Sequence, residues 1–350
     1  MSTSTQLTTS VAQAREFPPM TWSQFFDDDK TWDGFIAHLN PLSPFQLSAW
    51  ARFRMDDGWS PVRFISEINS GAIQFLVKRY SKVFTVAWSS GGPCGTVTAH
   101  SLAHLSRAVQ QSLNSHFTYL RISDFSPESP RVLSEYSNAN WLRCRRTFGS
   151  QITLFRDLPM CASDLRASYT DNWRRNLRRG EQRNVRWEHW ENPDTALMAS
   201  MYLDLVDYKQ DFKADWRGDN GRLTRFIEEF GDSLCIVRAI SPSEETLSFR
   251  AAIRIGNLGF DILAATSLEG RKCYASHVAT HGLLDVLSRT GCRRYDFGGV
   301  DKLQNLGVYN FKHGAGGLDH SYLGEWQFAT PRYARNLIQN VVHFLTPQGG

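Results

Sequence analysis

Apolar and polar positions alternate along residues 61–67, 72–80 and 83–88, which predicts three strands early in the chain. Residues 44–54 begin on a proline and run into an aromatic and basic face, which predicts a helix. Leu102, Leu105, Val109 and Leu113 recur at helical spacing, so residues 102–115 are expected to be helical, and 119–122 to be a strand. The second half repeats this alternation. Helices are predicted over 164–183, 194–210 and 223–230, and strands over 234–240, 247–255 and 258–265, with Gly256-Asn257 as a hairpin turn. Residues 277–290 form a further predicted helix that stops at Gly291, followed by a strand at 295–298. Leu337, Val341 and Leu345 fall on one face of an expected closing helix over 332–345. No repeat is visible in the sequence, yet both halves share a helix–strand–strand–helix–strand rhythm.

A chain of 350 residues exceeds the size at which one core stops growing, about 250–300 residues. The expected division is a disordered tail over 1–20, one α/β (α+β) unit over 21–150 and a second over 151–350. A net charge of +4 fits one local anion site better than a surface coated for nucleic acid. The 13% of aromatic residues, with 11 tryptophans, suggests aromatic grooves or broad aromatic packing. Six cysteines at irregular spacing, with no C-x-x-C pair, argue against a zinc site or a disulfide framework and fit a reducing cytoplasm. The Ser/Thr-rich amino terminus does not read as a secretory signal, and no apolar run reaches the ~18 residues of a transmembrane span.

Two segments carry candidate chemistry. In 294–301 (R-Y-D-F-G-G-V-D) and 307–317 (G-V-Y-N-F-K-H-G-A-G-G), Asp296 and Asp301 flank glycines that let the backbone approach a ligand closely. Lys312 precedes the second glycine cluster, which presents a cation on an open backbone and suits a phosphate or another anion. The alternative is ordinary turn glycines beside an exposed lysine. In 172–185, Arg174 and Arg178 are four apart, as are Arg175 and Arg179, so each pair shares a helix face. Paired guanidiniums can fork onto phosphate oxygens, although a charged run is more often a solvated face. His277 and His281 are also four apart, but a metal needs more ligands than two.

The first segment resembles the C-terminal signature of the FemABX-like aminoacyltransferases, which are double-domain members of the GNAT acyltransferase superfamily. The arginine run resembles the family's R-x-N-I-R-K-A-E-K-x-G-V segment through Arg174, Asn176, Leu177, Arg178, Arg179, Glu181, Arg183 and Val185, while Gly180 and Asn184 depart from it. Gln46, Ser48, Trp50 and Arg54 resemble a Q-S-x-x-W-x-x-x-K pattern, with the serine one place late and arginine for lysine. Ser90-Gly91-Gly92-Pro93 is similar to an R-G-P turn without its arginine. The resemblance implies two tandem GNAT-like subdomains, each a mixed central sheet flanked by helices.

It also implies direct transfer of an aminoacyl group from aminoacyl-tRNA to an amine, commonly on a cytoplasmic peptidoglycan precursor, with no metal and no cofactor beyond that co-substrate. Lys312 and Phe311 would meet the tRNA acceptor end, with Tyr309 nearby. Arg54, Arg174, Arg178 and Arg179 would hold acceptor phosphate, Arg178 foremost, and Tyr208 stands where substrate-contacting aromatics occur. Asp301 is the first candidate base and Asp296 the second, with a structural strand-end role for Asp296 equally open. An acyl-CoA donor is the alternative. Its R/Q-x-x-G-x-G/A loop would have to be Phe311-x-x-Gly314-x-Gly316, where a phenylalanine replaces the arginine or glutamine, or 271–277, which has no glycine. A non-catalytic RNA-binding module is the third reading.

Overall fold

The computed structural model describes residues 21–67, 70–159, 162–208, 215–303 and 305–331. The expected tail over 1–20, the end of the 194–210 helix and the closing helix over 332–345 lie outside these residues.

The first half contains β1 (Trp22–Phe25), α1 (Asp29–His38), α2 (Ser48–Met55), β2 (Ser60–Ser66), β3 (Gly71–Arg79), β4 (Phe84–Ser90), β5 (Cys94–Gly95), α3 (Ala99–Leu113), β6 (Phe117–Pro127), α4 (Pro130–Asn138) and β7 (Leu142–Arg143). A crossover strand follows, β8 (Ile152–Asp157). The second half contains α5 (Ala162–Ala167), α6 (Asp171–Gln182), β9 (Arg186–His189), α7 (Thr195–Tyr208), α8 (Asn220–Phe230), β10 (Leu234–Ile240), β11 (Thr246–Ile255), β12 (Leu258–Thr266), α9 (Leu268–Lys272), α10 (Ala275–Arg289), β13 (Arg294–Gly299), α11 (Leu306–Gly314) and β14 (Leu318–Thr330).

The strands join into one mixed sheet in the order β1-β2-β3-β4-β6-β14-β8-β13-β12-β11-β10-β9, with β5 on β3 and β7 on β14. Two strands stitch the halves together. The start of β14 pairs with β8, from Leu318↔Phe155 to Ser321↔Ile152, and its remainder pairs with β6, from Tyr322↔Pro127 to Thr330↔Thr118. β8 in turn pairs with β13. The last described strand therefore returns to the first half's sheet.

Three large cores follow from this arrangement. Leu102, Leu105, Val109 and Leu113 of α3 pack under the first half's sheet with Phe75, Leu120 and Trp141. Leu177 of α6 and Val278, Leu283 and Leu287 of α10 cover one face of the second half's sheet. Between the halves, Trp50 and Phe53 of α2 meet Phe226 of α8 and Phe249 of β11, so the interface is itself a hydrophobic core.

Residues 164–183 form two helices rather than one. Thr170 leaves the helical path to donate its amide to Gly314 O at 3.0 Å. Residues 44–54 likewise divide into a 3₁₀ turn, Pro44–Gln46, and α2. The buried Gln46 side chain accounts for this break, because it donates to Ser90 O (2.7 Å) and accepts from Gln74 N (2.7 Å).

Both departures in the arginine segment have physical reasons. Asn184 takes φ +59°, a left-handed conformation that Asn tolerates in place of glycine. A Cβ on Gly180 would stand 2.8 Å from Val278 Cγ2 and 3.3 Å from Cys273 O, so glycine lets α6 approach the start of α10. Alanine there gains about 1 kcal/mol of helix propensity but overpacks a buried contact at about 1–3 kcal/mol. Gly180→Ala is therefore expected to lower the denaturation midpoint, and a Val278→Ala background should reduce that penalty, the contact with the Cys273 carbonyl remaining.

Candidate functional site

Two parallel strand pairs occupy matching places in the two halves, and they differ. In the first half β4 and β6 stay zipped from Phe84↔Phe117 through Ser90↔Ser123. In the second half β12 and β13 pair only at Leu258↔Arg294, Gly259↔Tyr295 and Phe260↔Asp296, although β12 continues to Thr266 and β13 to Gly299. Bulges help to part them. The register of β12 with β11 shifts between Ala251 and Ala252, and that of β13 with β8 shifts between Asp296 and Gly299. Diverging strands free main-chain groups that a sheet would otherwise occupy, so the notch between β12 and β13 can receive an extended ligand.

Lys312 stands at this notch. It lies on α11 rather than on the open glycine turn that its sequence neighbours suggest, and it is 8% exposed. Asn305 caps that helix, its side chain accepting from Val308 N. The Lys312 amine donates to Gly299 O at 2.9 Å and to Gly298 O at 3.2 Å. An ammonium group has three donors, so one N–H remains for a ligand. Burial pulls the amine down to about 8, with Asp261 and Asp296 opposing that shift and Arg250 reinforcing it. Gly298 takes φ +73°, and a Cβ there would stand 3.9 Å from the amine and 3.7 Å from Asp261 O, so the notch narrows around glycine.

Asp296 is wholly buried beneath the same loop. It accepts from Thr153 Oγ1 of β8, from Gly298 N at 2.8 Å and from Tyr322 OH of β14 at 2.9 Å. Burial raises its carboxyl from 3.8 to about 6 despite these donors. Its folded value lies above its unfolded one, so its contribution to stability is fullest below pH 3.8 and is lost as pH rises through about 6. The stability of the wild type relative to Asp296→Asn should fall by about 2 kcal/mol between pH 4 and pH 6, as read from urea unfolding. Asp301, by contrast, is exposed at the rim, and its carboxylate accepts from Leu303 N at 2.8 Å.

Arg250 and Asp261, which the sequence patterns did not single out, form an ion pair beside the lysine with side chains 8% and 10% exposed. Burial works against the guanidinium charge, but Asp261 more than offsets it and holds Arg250 charged. Arg250 also donates to Thr280 Oγ1 of α10 at 3.2 Å and stands 5.7 Å from the Phe311 ring centre. Phe311 is half-buried, with His277 edge-on at 5.0 Å and Trp173 at 6.0 Å. Burial lowers His277 to about 4, so its imidazole is neutral near neutral pH. One of two arginines on β11 and the single aspartate on β12 give little sequence signal. Only the β11–β12 register brings this pair together.

The arginines of α6 lie on the side of Trp173 away from the core. Arg174 donates to Ala167 O at 3.0 Å and pairs with Asp171. Arg179 donates to Tyr274 OH at 3.2 Å, at the start of α10. Arg178 is exposed and has no hydrogen-bond or ion-pair partner among the described residues. Trp173 links this basic helix to Phe311. Tyr309 faces elsewhere, with its hydroxyl 3.5 Å from Asp319 and Lys302 over its ring. Arg54 belongs to another neighbourhood. It pairs with Asp57 at 2.8 Å and stands over Trp50 at 5.3 Å, and burial lowers its pKa. Tyr208 closes α7. Phe311-x-x-Gly314-x-Gly316 is the end of α11, so it is not a loop opening a helix. The described residues contain no group of three or more His, Cys, Asp or Glu that could hold a metal, and no helix long and apolar enough to cross a membrane.

No protein-family model and no curated protein matches the sequence. Solved structures do match the fold. FemX superposes with a TM-score of 0.76 at 14% identity, over 91% of this chain and 100% of FemX. L-PGS from Bacillus licheniformis gives 0.53 at 11% identity, over 91% of this chain and 96% of that one. A tandem GNAT protein from the clavulanic acid biosynthesis pathway gives 0.52 at 9% identity, over 89% and 98%. The chain therefore has a mixed α/β fold of the tandem GNAT, FemX-like kind.

Proposed function

We propose that this protein is a FemABX-like transferase, built as two tandem units divided near residue 150, that moves an aminoacyl group from aminoacyl-tRNA to an amine. The observation that carries the reading is the buried Lys312 amine at the mouth of the parted β12–β13 pair, beside Phe311. The FemX-like fold over nearly the whole chain supports it. The β4–β6 pair in the first half stays zipped, so the donor's ester is assigned to the β12–β13 notch of the second half.

The reaction joins an amine nitrogen to the ester carbonyl and expels the ribose hydroxyl. A tetrahedral intermediate carries negative charge on oxygen, and a fixed, partly desolvated ammonium stabilises that charge more than it stabilises the ester. Lys312 fills this role with its remaining N–H, and Phe311 orients the terminal nucleoside by stacking. Asp301 is the carboxylate at the rim that an incoming amine can reach; it takes the proton that the attacking nitrogen loses, and that proton goes to the ribose oxygen as it leaves. Asp296 is bonded on all sides and shapes the loop instead.

Because Trp173 joins α6 to Phe311, Arg178, with Arg174 and Arg179, is assigned here to tRNA phosphate rather than to acceptor phosphate, and Arg54 serves the acceptor through the first half. A peptidoglycan precursor in the cytoplasm is the acceptor class that follows from the family reading. Titrating an RNA hairpin that mimics a tRNA acceptor stem tests the donor assignment. The expected result is salt-dependent binding that Arg178→Glu weakens by tenfold or more, about 1.4 kcal/mol. Equal affinity for coenzyme A, unaffected by that substitution, would favour an acyl-CoA donor.

A further inference from the structure

We infer that Ser150 is a positioning residue for Lys312, fastening the crossover between the halves to the loop whose carbonyls hold the lysine. The inference rests on Lys312 being the functional cation of the proposed transferase.

The Gly298–Val300 loop is pinned from three directions. Asp296 takes the Gly298 amide from below, and Lys312 donates to the Gly298 and Gly299 carbonyls. The third attachment comes from outside the second half's own strands. Ser150 Oγ lies 2.7 Å from Val300 O and 2.6 Å from Ile152 O, either of which can take its proton, and it accepts from Val300 N and Ile152 N at 3.2 Å each. One hydroxyl thus bridges both ends of the junction. The contact is also close, since a Cβ on Gly299 would stand 2.5 Å from Ser150 Cβ.

Ser150 itself is set by the first half. Immediately upstream, Phe148 N and Gly149 N donate to Glu325 Oε1 at 2.8 and 3.0 Å. Glu325 belongs to the part of β14 paired with β6, and its other oxygen accepts from Arg121 Nε of β6 at 2.6 Å. A continuous path therefore runs from the first half's sheet through residues 148–150 to the carbonyls under the lysine. Removing the hydroxyl of this exposed residue takes away the side-chain link, while the main-chain bond from Val300 N to Ile152 O (3.0 Å) and every core remain.

The test is the pH dependence of Lys312 labelling by reductive methylation, read by mass spectrometry, in wild type, Ser150→Ala and Ser115→Ala. Ser115 also bonds main-chain carbonyls, Val83 O at 3.0 Å and Phe117 O at 3.3 Å, but in the first half. The wild-type midpoint is expected near 8. In Ser150→Ala the loosened, better hydrated amine should have its midpoint raised by about one pH unit and, at pH above both midpoints, should label at least threefold faster. Ser115→Ala should match the wild type. An unchanged profile in a Ser150→Ala protein that melts normally would overturn the inference, and so would an equal change in both variants. Labelling needs no substrate, so a failure to transfer aminoacyl groups would count against the proposed function and leave this result to stand or fall alone.

Discussion

Lys312→Ala is expected to lower kcat about 10²–10³-fold, the usual loss when one fixed donor to a developing oxyanion is removed. KM for the acceptor should change little, because the lysine acts on charge that forms during the reaction. Lys312→Arg should not restore the rate. A planar guanidinium cannot take the place of an ammonium held at 2.9 and 3.2 Å by two carbonyls under near-complete burial. The pH profile carries the same information. The charged form is the active one, so activity should decline as pH rises through about 8. A rate that instead climbs through that range would make the neutral amine the working species and turn Lys312 into a base. Measured melting temperatures should differ little between wild type and Lys312→Ala, since holding the buried charge offsets much of what its two hydrogen bonds contribute.

The largest effect on stability is expected at Arg121–Glu325, whose side chains are 4% and 3% exposed. Arg121 also donates to Arg146 O at 2.7 Å and lies 3.7 Å from the Phe148 ring centre. Arg121→Ala should cost about 3–5 kcal/mol, because it leaves a buried carboxylate without its cation. Arg121→Met with Glu325→Gln should recover part of that loss. It removes the buried charge and keeps an acceptor for the Phe148 and Gly149 amides. A loss below about 1 kcal/mol in chemical denaturation of Arg121→Ala would mean that the pair is no junction between the halves.

The second half was the more legible in sequence, and its strands show why. The expected 234–240, 247–255 and 258–265 became β10, β11 and β12 within one or two residues, because buried strands bounded by turn residues leave a plain pattern. Gly256 at φ +57° makes the predicted hairpin turn. The helices α1 and α4 were missed, and so were strands whose partners are remote. β8 and β14 find their neighbours across the junction, so local alternation says little about them. Residues 307–317 read as a flexible glycine turn because four of them are glycine. Yet Gly314 is required by Trp173, whose Cδ1 would stand 3.1 Å from a Cβ there, and the segment before it is helical.

The candidate site divides in the same way. Lys312, Phe311 and Asp296 could be named from their segment, but not the carbonyls that hold the lysine or the sealed environment of the aspartate. Arg250 and Asp261 meet only through pairing of β11 with β12. The helix face offered Arg174 with Arg178 and Arg175 with Arg179 alike, and only the family resemblance put Arg178 first; its lack of a partner among the described residues is a fact of the fold.

The most direct test of the central claim is single-turnover transfer from labelled aminoacyl-tRNA. A mixed pool of aminoacyl-tRNAs and, separately, a panel of acyl-CoAs would be mixed with wild-type protein and candidate amines, alongside Lys312→Ala. Label that leaves tRNA for an amine in the wild type, and stays on tRNA in the variant, is the predicted result. Transfer from acyl-CoA alone would contradict it.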